Sequence, residues 1–242
     1  VVPALNEEEK IVHTVESLLP ACRAGLERFE LLLVNDGSTD RTGEVMERLA
    51  RETPEIVVIH HPERRGVGVA YRSGIEQARM DYVTLVPGDN IVDPMTWGPM
   101  FGVLGKSDII VGCRVNQRTN RSWIRYLISR SFSNFMCWLH SIRLSDFQGL
   151  VIYPTRMVRE LDLKSTGYMY QMEFLVQLHR RGCSIAETPF TMLPEKLRSG
   201  RSLRFSTIVD MFRTWRRLRK VRRSASTSGS GSLSAAPAKP VE

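Results

Sequence analysis

The chain has 242 residues, 42% hydrophobic and 25% charged, proportions that sustain a buried core of about one α/β domain and exclude a disordered or fibrous chain. Its four cysteines, Cys22, Cys113, Cys137 and Cys183, form no CxxC or CxxH pair, which argues against a disulfide framework or a zinc site and fits a reducing compartment. No run approaches the ~18 apolar residues of a spanning helix, and no signal-peptide pattern is visible, so a soluble or peripheral protein is expected.

In chain order, Val1-Val2-Pro3-Ala4 reads as the tail of a buried strand without an initiating Met. The native chain is therefore expected to begin upstream. Val12, Val15, Leu18 and Leu19 share one face of a helix. Leu31–Val34 is a strand, Val45, Met46 and Leu49 mark a second helix, and Ile56–Ile59 is another strand. Ala70, Ile75 and Ala78 give a weaker third helical face, followed by strands at Tyr82–Val86 and Asp108–Val111. Short apolar runs rich in β-branched residues are strands covered on both faces. Their alternation with helices predicts an α/β fold: a doubly wound, mostly parallel sheet with helices on both faces.

After Arg114 the rhythm changes. Residues 121–142 offer Trp123, Leu127, Phe135, Trp138 and Leu139 for an apolar face, 168–181 reads as a helix, and Ile185–Thr188 as a short strand. Between Lys196 and Arg223, eleven Lys/Arg stand against one acid, Asp210, more than the whole chain's net charge of +8. That block points to an anionic surface, membrane or nucleic acid. Within it, 203–220 carries Phe205, Ile208, Val209, Phe212 and Trp215 at helical spacing, beside arginines. A basic amphipathic helix of this kind suits a membrane surface. Three regions follow: a globular unit at 1–202, a basic amphipathic membrane-surface helix at 203–223, and a disordered Ser/Gly/Ala/Pro tail at 224–242.

Three polar clusters follow strands directly: Pro3-Ala4-Leu5-Asn6-Glu7-Glu8, Val34-Asn35-Asp36-Gly37-Ser38-Thr39-Asp40 and Val86-Pro87-Gly88-Asp89-Asn90. Each alone reads as a cap or a turn, with Asn6, Ser38 or Asp40 as helix N-caps. In an open parallel sheet, however, ligands bind at the carboxyl ends of strands, where these clusters would converge. His60 and His61 are adjacent, point to opposite sides, and read as structural.

The first two clusters, then Arg65-Gly66-Val67-Gly68-Val69-Ala70 with Gly74 and Ala78, then Ile110-Val111-Gly112-Cys113-Arg114, resemble the inverting family-2 glycosyltransferases with the GT-A fold. Asp146-Phe147-Gln148-Gly149, Glu173 and Arg198-Ser199-Gly200-Arg201-Ser202 are similar to the polyprenyl-phosphate sugar synthases, the dolichol-phosphate mannose synthase type. The matches run from Val1 to about Ser202 in family order.

The resemblance implies transfer of a hexose from a UDP- or GDP-sugar to a polyprenyl phosphate, with Mg²⁺ or Mn²⁺ as cofactor. Pro3, Leu5, Glu7, Asp36, Gly66 and Gly68 would form the donor site. Asp89, with Asn90, would hold the metal, although Pro87 stands where the family's first acid of Asp-x-Asp is usual. Asp89, Asp146 and Arg114 would be catalytic, Asp146 as general base if the acceptor is a hydroxyl. Arg114, Arg125, Arg130, Arg198 and Arg201 would clamp an acceptor phosphate. The expected setting is peripheral, on the cytoplasmic side of a membrane, with a membrane-protein partner as a further expectation and no nucleic acid. The alternatives are a glycan or other hydroxyl acceptor, a non-catalytic nucleotide-sugar-binding relative, motivated by Pro87, and a nucleic-acid-binding protein using the basic block.

Overall fold

The computed structural model describes residues 1–115, 123–145, 149–161 and 169–193. The elements run β1 (Val2–Ala4), α1 (Lys10–Gly25), β2 (Leu31–Asp36), α2 (Thr42–Glu52), β3 (Ile56–His61), α3 (Val67–Gln77) and β4 (Tyr82–Thr84). They continue with α4 (Trp97–Phe101), β5 (Ile109–Arg114), α5 (Trp123–His140), β6 (Val151–Pro154), α6 (Thr155–Arg159), α7 (Tyr170–Arg180) and β7 (Ile185–Phe190). Residues 203–223 and 224–242 lie outside the described residues.

Two ladders form the sheet, one ordered β1-β2-β3 and the other β4-β6-β5-β7. Val1 joins them: its amino nitrogen donates to the Thr84 carbonyl at 2.8 Å and its carbonyl accepts from Val86 N at 2.9 Å. That is the slanted bonding of a parallel pair, so the full order is β3-β2-β1-β4-β6-β5-β7. β6 runs antiparallel to both β4 and β5, while every other described pairing is parallel. One reversed strand therefore interrupts an otherwise parallel, doubly wound sheet, as expected from the strand–helix alternation.

Side chains alternate across a strand, and both faces here are covered. Leu31 and Leu33 turn to one core with Ile11, Val15 and Leu18 of α1, Met46 and Leu49 of α2, and Trp97 of α4. Leu32 and Val34 turn to the other, with Tyr71 and Ile75 of α3 and Phe174 and Leu175 of α7. All six residues of β2 are buried, which explains its unbroken apolar run. Pro20 sits inside α1 on the exposed side, where water can satisfy the carbonyl its ring leaves without a donor.

The apolar set read in 121–142 divides between two sides: Phe135 and Trp138 are 50% and 77% exposed, Leu139 packs partly against the core, and Ser133, Met136 and His140 turn inward. These three are spaced i, i+3, i+7, a stripe on the other side of the helix. The side chains of Trp123 and Leu127 lie outside the described residues. The short β6 was not foreseen, nor were the single-turn helices α4 and α6.

Phe174 is 1% exposed and meets Tyr153, Tyr71 and Tyr170 edge-on at centroid distances of 5.3, 6.0 and 6.3 Å. Phe174→Ala is expected to destabilise the protein by about 3 kcal/mol or more, measured as a lowered urea midpoint with an unchanged m-value.

Candidate active site

The order of the strands reverses between β1 and β4, and the loops leaving their carboxyl ends are built against one another. β1 and β2 pair with Ala4 opposite Asn35, so the loops after them start side by side. Asn6 adopts a left-handed φ of 55°. Its backbone N donates to Ser38 Oγ at 3.1 Å, and its side-chain oxygen accepts from Thr39 N at 2.9 Å. Next, Glu7 N donates to Thr42 Oγ1, and Glu8 Oε2 accepts from Arg41 N, both at 2.9 Å. Asp40 accepts from the N and Oγ1 of Thr42. Burial works to raise the Asp40 pKa, and the Thr42 bonds outweigh it, holding the carboxyl below its ordinary value. Asp40 thus holds the first residue of α2 from one position ahead of the N-cap, Arg41, whose side chain makes no capping bond, and Asn6 bridges two loops rather than capping α1.

Asp36 ends β2 and is 4% exposed. Its Oδ1 accepts from Arg65 N at 2.9 Å and its Oδ2 from Gly66 N at 2.8 Å. Gly66 has φ +97° and starts α3, a conformation that favours glycine. Gly37, with φ +70°, permits a similar closeness: a β-carbon there would lie 2.3 Å from the Glu63 carbonyl carbon. Gly68 is buried in the first turn of α3.

The loop after β4 closes on the same place. A β-carbon at Gly88 would stand 3.0 Å from the Pro3 carbonyl oxygen, and the Gly88 carbonyl accepts from Thr14 Oγ1 at 3.1 Å. Asp89 Oδ1 is buried at this edge. Asn90 has φ 54° and turns its side-chain oxygen to Ser17 Oγ at 3.5 Å, toward α1. Among the described residues no group of three His, Cys, Asp or Glu side chains forms a metal cage. A single hard carboxylate at a strand end still fits a divalent ion that takes its other ligands from substrate phosphate and water.

The expected donor residues are thus brought to one edge, with differences of role. Pro3 is buried in β1 opposite Val34, while Leu5 is half-buried at the strand's exit. Glu7 pairs with Lys10 Nζ at 2.9 Å.

A second cluster lies at the ends of β5 and β7. Arg114 is in register with Phe190. Glu187 accepts from Cys113 Sγ at 2.8 Å and from Ser145 N and Oγ at 2.6 and 3.0 Å. Arg130 Nη1 donates to the Ser145 carbonyl at 2.9 Å. The neighbouring cleft of about 690 Å³ is lined by Trp138, Arg143, Ser145 and Glu187 among others. Asp146, Arg198 and Arg201 lie outside the described residues, as does the side chain of Arg125. Thr42, His61 and Glu187 were not foreseen as site-building residues. The signal available for Glu187 was a lone acid within a short strand.

Residues 1–160 match glycosyl transferase family 2, and the chain belongs to that family. It is similar to the polyprenol monophosphomannose synthase of Mycolicibacterium smegmatis, 26% identical over 81% of this chain and 77% of the relative. It is also similar to the undecaprenyl-phosphate mannosyltransferase of Micrococcus luteus, 27% identical over 81% of this chain and 84% of the relative. Among solved structures, glucosyl-3-phosphoglycerate synthase from Mycobacterium tuberculosis, in complex with Mn²⁺, UDP-glucose and phosphoglyceric acid, superimposes with a TM-score of 0.66 at 20% identity, covering 92% of this chain and 79% of that one. The shared fold is GT-A.

Gly37→Ala forces a methyl group into the Glu63–Arg64 backbone. The expected outcome is a loss of about 1–3 kcal/mol of stability, read as a lowered urea midpoint, together with weakened UDP or GDP binding by calorimetry.

Proposed function

We propose that the protein transfers a hexose from a UDP- or GDP-sugar to a polyprenyl phosphate with inversion, at the carboxyl edge of the sheet. The observation that carries this reading is the path of the chain after β7. Asp93 N donates to the Thr191 carbonyl at 3.1 Å and Leu193 N to the Ile91 carbonyl at 2.9 Å, with Val92 bridged to Met192. Leu193 therefore lies beside Ile91, directly after Asp89-Asn90. Donor diphosphate and acceptor phosphate are both anionic, and Lys196, Arg198 and Arg201 follow Leu193 in the sequence. The named substrates of the mycobacterial and micrococcal relatives support the lipid-phosphate acceptor.

In this reading Leu5, Glu7 and the Asp36–Gly66 turn border the nucleotide. Asp89 would hold Mg²⁺ or Mn²⁺ against the diphosphate, where the ion offsets charge on the departing nucleoside diphosphate. An acceptor phosphate oxygen attacks the anomeric carbon opposite the leaving group, which explains inversion. A phosphate monoester has a second pKa of about 6 and is largely ionised at neutral pH, so the acceptor needs orientation more than deprotonation. Arg114 and Arg130, with Arg125, Arg198 and Arg201, would orient it through forked hydrogen bonds. Asp146 would serve as base only for a hydroxyl acceptor.

A membrane surface is the natural setting for such an acceptor. Phe135 and Trp138 stand exposed three residues apart on α5, with ring centroids 6.2 Å apart, and Arg130 and Arg143 are exposed nearby. Aromatic rings flanked by arginines suit the anionic headgroup boundary. The four cysteines form no disulfide with one another, which suits the reducing, cytoplasmic side. No described helix is long and apolar enough to cross a membrane.

The test of transfer uses purified protein, Mg²⁺ or Mn²⁺, radiolabelled UDP- and GDP-sugars and short polyprenyl phosphates in detergent. Label is expected in the organic phase. Donor turnover only with added glycans would move the acceptor to a hydroxyl. Asp89→Ala is expected to lower transfer by about 100-fold or more and to remove the metal dependence of nucleotide binding; wild-type behaviour in both would remove the metal assignment.

Membrane contact is tested by sedimentation with vesicles containing anionic lipid. Replacing Phe135 and Trp138 together by Ser is expected to reduce bound protein severalfold while transfer to a detergent-solubilised acceptor persists. Unchanged sedimentation would exclude α5 as the contact.

A further inference from the structure

His61 ends β3 with its side chain only 5% exposed, and it connects three elements. Its Nδ1 lies 2.8 Å from Asp36 Oδ1 and its Nε2 2.9 Å from Ser73 Oγ on α3. A carboxylate accepts and cannot donate, so Nδ1 carries the proton of the Asp36 bond, and Nε2 meets the Ser73 hydroxyl, which can serve as donor or acceptor. The chain Ser73–His61–Asp36 has the connectivity of an acyl-transfer triad. Ser73 nonetheless lies inside α3, where neighbouring amides are engaged in the helix and leave no oxyanion site. What the imidazole does contact is the carboxylate that also holds Arg65 N and Gly66 N. His60, one residue earlier, is occupied elsewhere, with Glu47 and Asn35.

We infer that His61 is a positioning residue for the donor nucleotide: by bridging Asp36 to Ser73 it fixes the Asp36 carboxylate and, through it, the Arg65–Gly66 turn. The inference rests on the reading that this turn borders the nucleotide. Without the His61 bond the Asp36 carboxylate keeps only the backbone donors Arg65 N and Gly66 N, and its orientation is less firmly fixed. The ordering is then required at the moment of binding, and affinity falls.

Two near-isosteric substitutions separate positioning from stability. An Asn amide nitrogen sits close to the place of Nδ1, and a Gln amide close to that of Nε2. His61→Asn keeps the donor to Asp36, whereas His61→Gln keeps only the contact to Ser73. Asn, one methylene shorter than Gln, leaves the larger void, so a loss caused by packing alone would be greater in His61→Asn, the reverse of the order expected for positioning. UDP and GDP affinities are measured by calorimetry on the full chain with Mg²⁺, alongside the melting temperature of each variant and of Ser73→Ala and Asp36→Asn.

His61→Gln is expected to weaken the preferred nucleotide about tenfold or more, the scale of a lost hydrogen bond to a charged group. His61→Asn is expected to stay within about threefold of wild type at a similar melting temperature, with Ser73→Ala between the two. In turnover the His61→Gln effect is expected in donor KM and not in kcat. Equal affinities in the Asn and Gln variants, or losses that follow melting temperature alone, would overturn the inference. Wild-type affinity in Asp36→Asn would instead remove the underlying placement of the nucleotide. Weakened binding in Asp36→Asn beside unchanged binding in His61→Gln would overturn the role of His61 alone.

Discussion

The site depends on β1 having a parallel neighbour on each side. β2 pairs with it through the Ala4–Asn35 register, and the segment at Thr84–Val86 pairs with it through Val1. Chain order runs outward in opposite directions from this seam, and the carboxyl edge at such a reversal is the usual place for a ligand in an open α/β sheet. Backbone polar groups inside a protein require partners, and the loops after β1 and β2 find them in one another: Asn6 with Ser38 and Thr39, Glu7 with Thr42, Glu8 with Arg41. That edge is thus built from segments that hold one another before a ligand arrives, which lowers the ordering required on binding.

The cluster at the ends of β5 and β7 is organised differently. There a single carboxylate, Glu187, gathers Cys113 from β5 and Ser145 from the approach to β6, and Arg130 reaches the same Ser145 from α5. β4 and β5 are separated only by β6, two inter-strand spacings or roughly 10 Å. That distance suits an enzyme that must bring a phosphate on one substrate to a sugar carried by another. Gly149 contributes closeness: a β-carbon there would overlap the Gly112 carbonyl, so the segment entering β6 lies directly on β5.

Much of this was legible in the sequence because burial on both faces leaves a plain trace. Leu31–Val34 and Ile109–Val111 are apolar without interruption for that reason, and Val45, Met46 and Leu49 mark the inner stripe of α2. The acids at strand ends were legible because three polar clusters, each alone readable as a cap or a turn, all follow strands that end on one edge of the sheet. β6 was not, since four residues after a glycine carry too little pattern to distinguish strand from loop. The inner face of α5 was not legible from hydrophobicity, because Phe135 and Trp138 face outward while a serine and a histidine face in. Thr42, His61 and Glu187 escaped notice because their roles are set by partners distant in sequence. Spacing along the chain does not record such partners.

The reversed strand also bears on how the protein is made. β6 lies between β4 and β5 in the sheet but follows both in the chain. During synthesis those two strands emerge with a gap between them that only residues 151–154 can fill. Until then each presents unpaired backbone groups, the feature that invites association with other chains. Closing the gap requires a late segment to enter between two earlier ones, a non-local step of the sort that slows folding. A polypeptide interrupted before Val151 would lack β6 and β7 alike, leaving β4 with an open edge and β5 with no partner strand, a substrate for chaperones or aggregation rather than a smaller working enzyme.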